Sequence, residues 1–230
     1  MPLAVRPGSI EQGIDLLREL GVEGANVTMP HKQAVVPFLE RLEGDAERLL
    51  AVNTIVRDGD ALIGHNTDGP GFLSATGAEA SFDPAGKRTV ILGAGGAARA
   101  VAVALATAGA SVVVSARRPE QAADLSRLAP GIGTARWGDP LSGDLIVNAT
   151  PSHDGLPLAT LGFGPGVLAV DLIYLPPATE FLLAARAVGA QALDGLGMLV
   201  HQAALSFRLW TGRDAPIDVM RTAAMEALAA

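Results

Sequence analysis

Apolar residues along the chain follow two rhythms. Through the first third they come in short bursts broken by glycine and proline. Ile10, Ile14, Leu17 and Leu20 recur near helical spacing, Ser9 stands where an N-cap belongs, and Gly21 follows. That pattern predicts a helix over 10–20. Short apolar runs predict strands at 2–5 and 24–29, and a short helix over 32–42 is expected behind Pro30 and His31. Residues 45–50 predict one or two further helical turns. Residues 51–56 and 61–65 flank Asp58-Gly59-Asp60, a hairpin signal. Gly69, Pro70 and Gly71 then read as punctuation.

From about residue 86 strand and helix alternate with short loops. Strands are predicted over 88–92, 111–115, 145–149, 167–172 and 192–193, and helices over 97–108, 119–128 and 179–188. Two more helices are predicted over 198–210 and 217–228. Such alternation is the mark of βαβ units and a parallel sheet, so the fold class is α/β. No internal repeat interrupts this order.

Composition narrows the function classes. Of 230 residues, 49% are hydrophobic and 18% charged, which leaves ample material for a core. The net charge is −7 and no basic cluster occurs, which argues against a nucleic-acid partner, since phosphate binding rests on grouped Lys and Arg. There is no cysteine, so disulfides, thiol catalysis and zinc–thiolate sites are excluded, and no metal is expected. No apolar run reaches the roughly 18 residues of a membrane helix. Met1-Pro2-Leu3 opens no signal-peptide pattern. The expectation is a soluble cytoplasmic protein.

The most informative local pattern is "TVILGAGGAARAVAVAL". Gly93, Gly95 and Ala98 spell G-x-G-x-x-A between a predicted strand and a predicted helix. Gly93 permits the tight turn, Gly95 leaves room for a pyrophosphate at the backbone, and Ala98 allows close helix–strand packing. The phosphates would lie on the helix N-terminus. Gly93, Gly95, Gly96, Ala97 and Ala98 are therefore candidate cofactor-binding residues; the bland alternative is a tight turn. The next strand ends in Ser115-Ala116-Arg117-Arg118. An NAD enzyme usually carries Asp or Glu there, about 20 residues on, for the ribose 2′-hydroxyl. Arg117 and Arg118 instead suit a 2′-phosphate, which points to NADP; two solvated arginines are the alternative.

Before the loop, polar groups recur at strand ends: Thr28, Lys32, Asn53-Thr54 and Asn66-Thr67-Asp68. A lysine and an aspartate facing one cleft can run acid/base chemistry, the burial lowering the lysine's pKa and the aspartate orienting it. Singly, Asp68 could cap a turn and Asn53 could satisfy a loop.

Taken together, "GANVTMPHK", "AVNT", "HNTDGPG", "GAGGAARA", "VNATPSHDG", "DLIYLPPAT" and "GLGMLVHQAALSFRLWTG" resemble the shikimate dehydrogenase family in order and spacing. The resemblance spans almost the whole chain. It implies a small α/β substrate-binding domain, 1–67 plus 197–230, and a Rossmann-type doubly wound NADP-binding domain, 68–196, with the active site between them. It implies NADPH-dependent reduction of 3-dehydroshikimate to shikimate in aromatic amino-acid biosynthesis. By the same resemblance Lys32 matches the catalytic lysine and Asp68 its partner. Thr28, Asn53 and Gln202 match groups that bind the substrate hydroxyls, and Tyr174 a tyrosine near its carboxylate. Asn148, Ala149 and Thr150 would line the cofactor, and Met198 would stand against the nicotinamide.

The resemblance has two departures. Ala116-Arg117-Arg118 stands where the family often has Asn-Arg-Thr, keeping an arginine and losing an amide. The Ser-x-Ser pair that grips the substrate carboxylate, on the family's first strand and helix, has no counterpart here. From this follow the expectations that NADPH binding is kept, that shikimate is bound weakly and turned over poorly or not at all, and that an open sheet edge is covered either by self-association, as in a homodimer, or by the C-terminal helices. Two rivals remain: a quinate/shikimate dehydrogenase using NAD, and a nucleotide-binding paralogue that has lost turnover.

Overall fold

The computed structural model describes residues 2–151 and 155–229, and its contacts divide the chain into two units. The first comprises residues 1–67 and 204–215, the second 68–203 and 216–230.

The first unit begins with α1 (Ile10–Glu19), which buries Gly13 and Ile14. Then come β1 (Gly24–Asn26), β2 (Arg41–Leu42), α2 (Asp45–Leu49), β3 (Thr54–Asp58) and β4 (Ala61–His65). The sheet order is β1-β3-β4-β2. The β3–β4 hairpin pairs antiparallel across the expected Asp58-Gly59-Asp60 turn, and Gly59 takes the positive φ that such a turn asks for. Ile14, Val35, Ala46, Val52, Ile55 and Leu62 close its core. Trp210 joins this unit, its indole N–H donating to the Ile55 carbonyl at 2.8 Å.

Three expectations fail here for identifiable reasons. Residues 2–5 form no strand: they find no ladder, and the Val5 carbonyl accepts instead from His31 Nε2 at 2.9 Å. Residues 32–42 form turns, a 3₁₀ turn (Val36–Phe38) and β2 rather than a helix. Pro37 lacks the N–H that an α-helix running through this position would need, and it is tolerated here only at the start of the short 3₁₀ turn. β1 stops at Asn26 because the chain turns at Thr28–His31, with a cis peptide between Met29 and Pro30.

The second unit holds α3 (Asp68–Ala80), β5 (Arg88–Leu92), α4 (Gly96–Thr107), β6 (Ser111–Ser115), α5 (Pro119–Ser126) and β7 (Ile132–Ala135). After these come β8 (Leu145–Asn148), β9 (Leu168–Asp171), α6 (Glu180–Ala187) and β10 (Gln191–Leu193). α7 (Leu196–Thr211) begins in this unit, and α8 (Ile217–Ala229) completes it. The sheet order is β10-β9-β8-β5-β6-β7 and each pairing is parallel. This is the expected doubly wound sheet, and its order reverses between β5 and β8. Strands buried on both faces read as continuous apolar runs, as in Val90, Ile91 and Leu92. Phe181 packs edge-on against Phe163 at 5.2 Å, and Trp137 lies against the same core.

α3 is the main element absent from the pattern. Its Gly-Pro-Gly looks like a breaker, but Pro70 lies in the first turn, where a missing N–H costs no intrahelical bond. β7 is the other: Gly131 and Gly133 masked an edge strand that pairs β6.

Candidate active site

In the first unit the turn that carries Thr28 and Lys32 is pinned at both ends by one short segment. Val27 N–H donates to the Asn53 carbonyl at 2.8 Å, and Val52 N–H to the Lys32 carbonyl at 2.7 Å. Thr28 is exposed and Lys32 half-buried. Asn53 is buried within a polar network. Its Oδ1 accepts from Thr67 N–H at 2.8 Å and from Thr54 Oγ1 at 3.0 Å, while its Nδ2 donates to Thr67 Oγ1 at 2.9 Å. Thr54 Oγ1 meets Ser206 Oγ at 2.7 Å, and Asn26 Nδ2 donates to Ser206 Oγ at 3.0 Å. So many bonds on one carboxamide fix which face presents oxygen and which nitrogen. Asn26 and Ser206 were not among the expected site residues. Asn26 lies inside the quoted "GANVTMPHK", but nothing in sequence spacing brings Ser206 to it.

In the second unit the sheet's reversal point brings the glycine loop and the Asn148–Thr150 turn together, two of the expected cofactor segments. Gly93 has φ +105°, and a Cβ there would lie 3.0 Å from the Ala149 carbonyl oxygen, so the turn and the approach of the β8 loop both need glycine. Gly95 and Gly96 are different: neither has positive φ and a Cβ on either would meet nothing within 4 Å. Neither the backbone nor the protein's packing requires glycine there, so the two positions leave open space at the start of α4. Gly95 is the N-cap of α4, with no side chain capping it, so the helix's first N–H groups face this space. Ala97 is half-buried and Ala98 fully buried against the sheet. Arg117 and Arg118 are both exposed just beyond β6.

Asn148 ends β8 beside Leu92 and is fully buried. Its Oδ1 accepts from Thr150 N–H at 3.1 Å and Thr150 Oγ1 at 2.7 Å, and its Nδ2 donates to Asp171 Oδ1 at 3.0 Å. Ala149 N–H donates to the Leu92 carbonyl, tying this loop to the glycine loop. Residues 152–154 of the "VNATPSHDG" stretch lie outside the described residues. Tyr174 is exposed and Met198 half-buried in the first turn of α7. Asp68 heads α3, buried, where a carboxylate suits the positive end of the helix. Three residues on, a Cβ at Gly71 would fall 2.7 Å from Gln202 Cβ, so α3 and α7 meet where Gln202 lies. Gln202 Nε2 donates to the Leu199 carbonyl at 2.9 Å. Asp171 and Thr179, absent from the expected set, stand at the centre of this region.

Comparison with known proteins gives this arrangement a family. The model described as Shikimate dehydrogenase substrate binding domain matches residues 1–55, which include Thr28, Lys32 and Asn53. The Shikimate 5′-dehydrogenase C-terminal domain matches residues 195–225, which include Met198, Gln202 and Ser206. The NADP(+) shikimate dehydrogenase of Moorella thermoacetica is 46% identical over 98% of this chain and 82% of its own. The chain belongs to the shikimate dehydrogenase family. A family structure from Thermus thermophilus, in complex with NADP(H) and shikimate, superposes with a TM-score of 0.89 at 36% identity, covering 97% of this chain and 85% of that one. A quinate dehydrogenase from Corynebacterium glutamicum in complex with NAD is similar too, at 32% identity and a TM-score of 0.84 over 94% of this chain and 82% of that one. Among the described residues, no helix is long and apolar enough to cross a membrane.

Proposed function

We propose that the protein is an NADP-dependent shikimate dehydrogenase, reducing 3-dehydroshikimate to shikimate in aromatic amino-acid biosynthesis. The observation that carries this reading is the pairing of an open glycine cradle at Gly95 and Gly96 with two exposed arginines just beyond β6, and no carboxylate at the end of that strand. Bound NADPH would supply the hydride. The helix N-terminus at Gly95–Ala98 and the Asn148–Thr150 turn would hold its pyrophosphate and nicotinamide ends, with Met198 against the ring. Arg117 and Arg118 would take the 2′-phosphate. Lys32 would hold or move the proton at the substrate's carbonyl oxygen, with Asp68 as the second ionisable group of the reaction. Thr28, Asn53, Tyr174 and Gln202 would bind the substrate's hydroxyls and carboxylate. Under this reading residues 1–67 form a substrate-binding part and the doubly wound sheet a cofactor-binding part.

The similarity to an NAD quinate dehydrogenase keeps a second reading in view, which the missing acid at the end of β6 speaks against. The lack of a Ser-x-Ser counterpart is the one feature that favours a nucleotide-binding paralogue without turnover, and 46% identity to an NADP(+) shikimate dehydrogenase across nearly the whole chain weighs against it. The same reading puts the enzyme in the cytoplasm, and a homodimer is to be tested by light scattering. A steady-state assay with shikimate or quinate, against NADP+ or NAD+, tests the proposal. Preference for shikimate with NADP+ is expected; turnover of quinate with NAD+ alone, or no turnover, would overturn it.

A further inference from the structure

Asp171 is fully buried at the end of β9, and its carboxylate accepts three hydrogen bonds. Asn148 Nδ2 donates to Oδ1 at 3.0 Å and Ile173 N–H to the same oxygen at 3.1 Å, while Thr179 Oγ1 donates to Oδ2 at 2.6 Å. Thr179 is also the N-cap of α6, accepting from Leu182 N–H. The loop from Ile173 to Thr179 is thus fastened at both ends to one carboxylate, and it carries Tyr174. Through Asn148 the same carboxylate fixes the turn at Thr150. The backbone of this loop start holds a third segment: Gly195 N–H donates to the Ile173 carbonyl at 3.1 Å, and a Cβ at Gly195 would overlap the Leu172 carbonyl oxygen. Gly195 leads into the first turn of α7 and Met198.

Three segments that follow β8, β9 and β10 are therefore tied to one another at the end of β9. A buried carboxylate is costly unless it is fully hydrogen-bonded. An apolar residue would fill such a strand end without that cost, so packing alone does not explain why a charge stands here.

We propose that Asp171 is a positioning residue of the reaction. Its carboxylate holds the Tyr174 loop and the Asn148–Thr150 turn as one piece, so that the substrate side and the nicotinamide side keep a common register. The inference rests on the shikimate dehydrogenase reading of the site. Asp171 itself touches neither reactant; it acts through Asn148, Ile173 and Thr179.

The test uses the full chain with Asp171→Ala, Asp171→Asn and Thr179→Val, and three measurements. These are amide hydrogen exchange at Thr150 and Ile173, calorimetric affinity for 2′,5′-ADP, and kcat and KM for shikimate. 2′,5′-ADP carries the adenosine end and its phosphate but no nicotinamide, so it reports the glycine loop and arginines alone. For Asp171→Ala, exchange at both amides should rise and kcat should fall about 10–100-fold, the scale of a misplacement of about 1 Å, with 2′,5′-ADP affinity kept within about twofold. Asp171→Asn should recover most of the loss, because its oxygen can still accept from Asn148 and Ile173 while its nitrogen donates to Thr179 Oγ1. If Asp171→Ala does not fold, Thr179→Val carries the test: a raised KM for shikimate with kcat and 2′,5′-ADP affinity held supports the proposal. Unchanged exchange at Thr150 and Ile173, or 2′,5′-ADP affinity falling in step with kcat, would overturn it. Absence of shikimate turnover in the unaltered chain would count against the functional reading instead, and exchange with 2′,5′-ADP binding would still decide the role of Asp171.

Discussion

Lys32 sits half-buried in a turn whose two ends are bonded to Asn53 and Val52, so its backbone has little freedom to relax around a change of side chain. If its ammonium exchanges the proton with the substrate oxygen, Lys32→Ala is predicted to lower kcat by about 10²–10⁴-fold and to move KM much less. Steady-state kinetics checks this; a change confined to KM would make Lys32 a binding group. Arg117 invites a different measurement, because under the proposed function the contact at stake is a charge-assisted bond to phosphate. Arg117→Ala is predicted to weaken NADPH binding about 10–100-fold by calorimetry and to leave NADH nearly unchanged. Equal affinity of the unaltered chain for both nucleotides would remove the basis for that prediction. Arg117 was singled out by its place just after a strand that follows the glycine loop, and Lys32 by the family resemblance of the stretch around it. Ser206 and Asn26 were not. Their hydroxyl and amide meet across 180 residues of chain, and no period or motif records such a distance.

At the scale of elements, the inner strands of the parallel sheet were legible because burial on both faces makes them continuous apolar runs, whereas the edge strand β7 was not. The hairpin was legible from its turn. The helix α3 was hidden by Gly69, Pro70 and Gly71, which serve packing and N-terminal geometry here rather than a break. The expected helix over 32–42 failed on Pro37, a residue visible in the sequence but outweighed there by the apolar spacing around it. α3 also anchors the end of the chain. Glu79, near its C-terminus, forms a two-point ion pair with Arg221 of α8, and a Cβ at Gly197 of α7 would overlap the Glu79 carboxylate. The pair is partly exposed, at 37% for Arg221 and 18% for Glu79, so solvent screening limits its worth to about 1 kcal/mol. Arg221→Ala is accordingly predicted to lower the thermal midpoint by about 2–4 °C and to speed amide exchange along α8. No change in either would show that α8 is held by its apolar contacts alone.

Over the whole molecule, one histidine in each unit makes folding sensitive to pH in the same direction. Burial pushes His65 below its ordinary value of 6.5, against the opposing pull of Glu43. Burial likewise lowers His201, opposed by Glu79 and aided by Arg221. Both are held neutral in the folded chain more firmly than in the unfolded one. Their contribution is therefore fully present above 6.5 and lost as pH falls below it, because the unfolded chain then takes up protons that the folded chain refuses. Thermal melts are predicted to show a midpoint that drops between pH 7 and 5, and His65→Asn with His201→Asn to flatten that drop; an unchanged slope in the double variant would assign the loss to other groups. The chain's two tryptophans turn this division into something that can be watched. Trp137 lies against the core of the parallel sheet, and Trp210 is bonded to the hairpin of the first unit. Each unit thus carries its own fluorophore, and replacing either indole with phenylalanine leaves an emission signal that belongs to the other half alone. Two single-tryptophan variants would show directly whether the halves melt together or in succession.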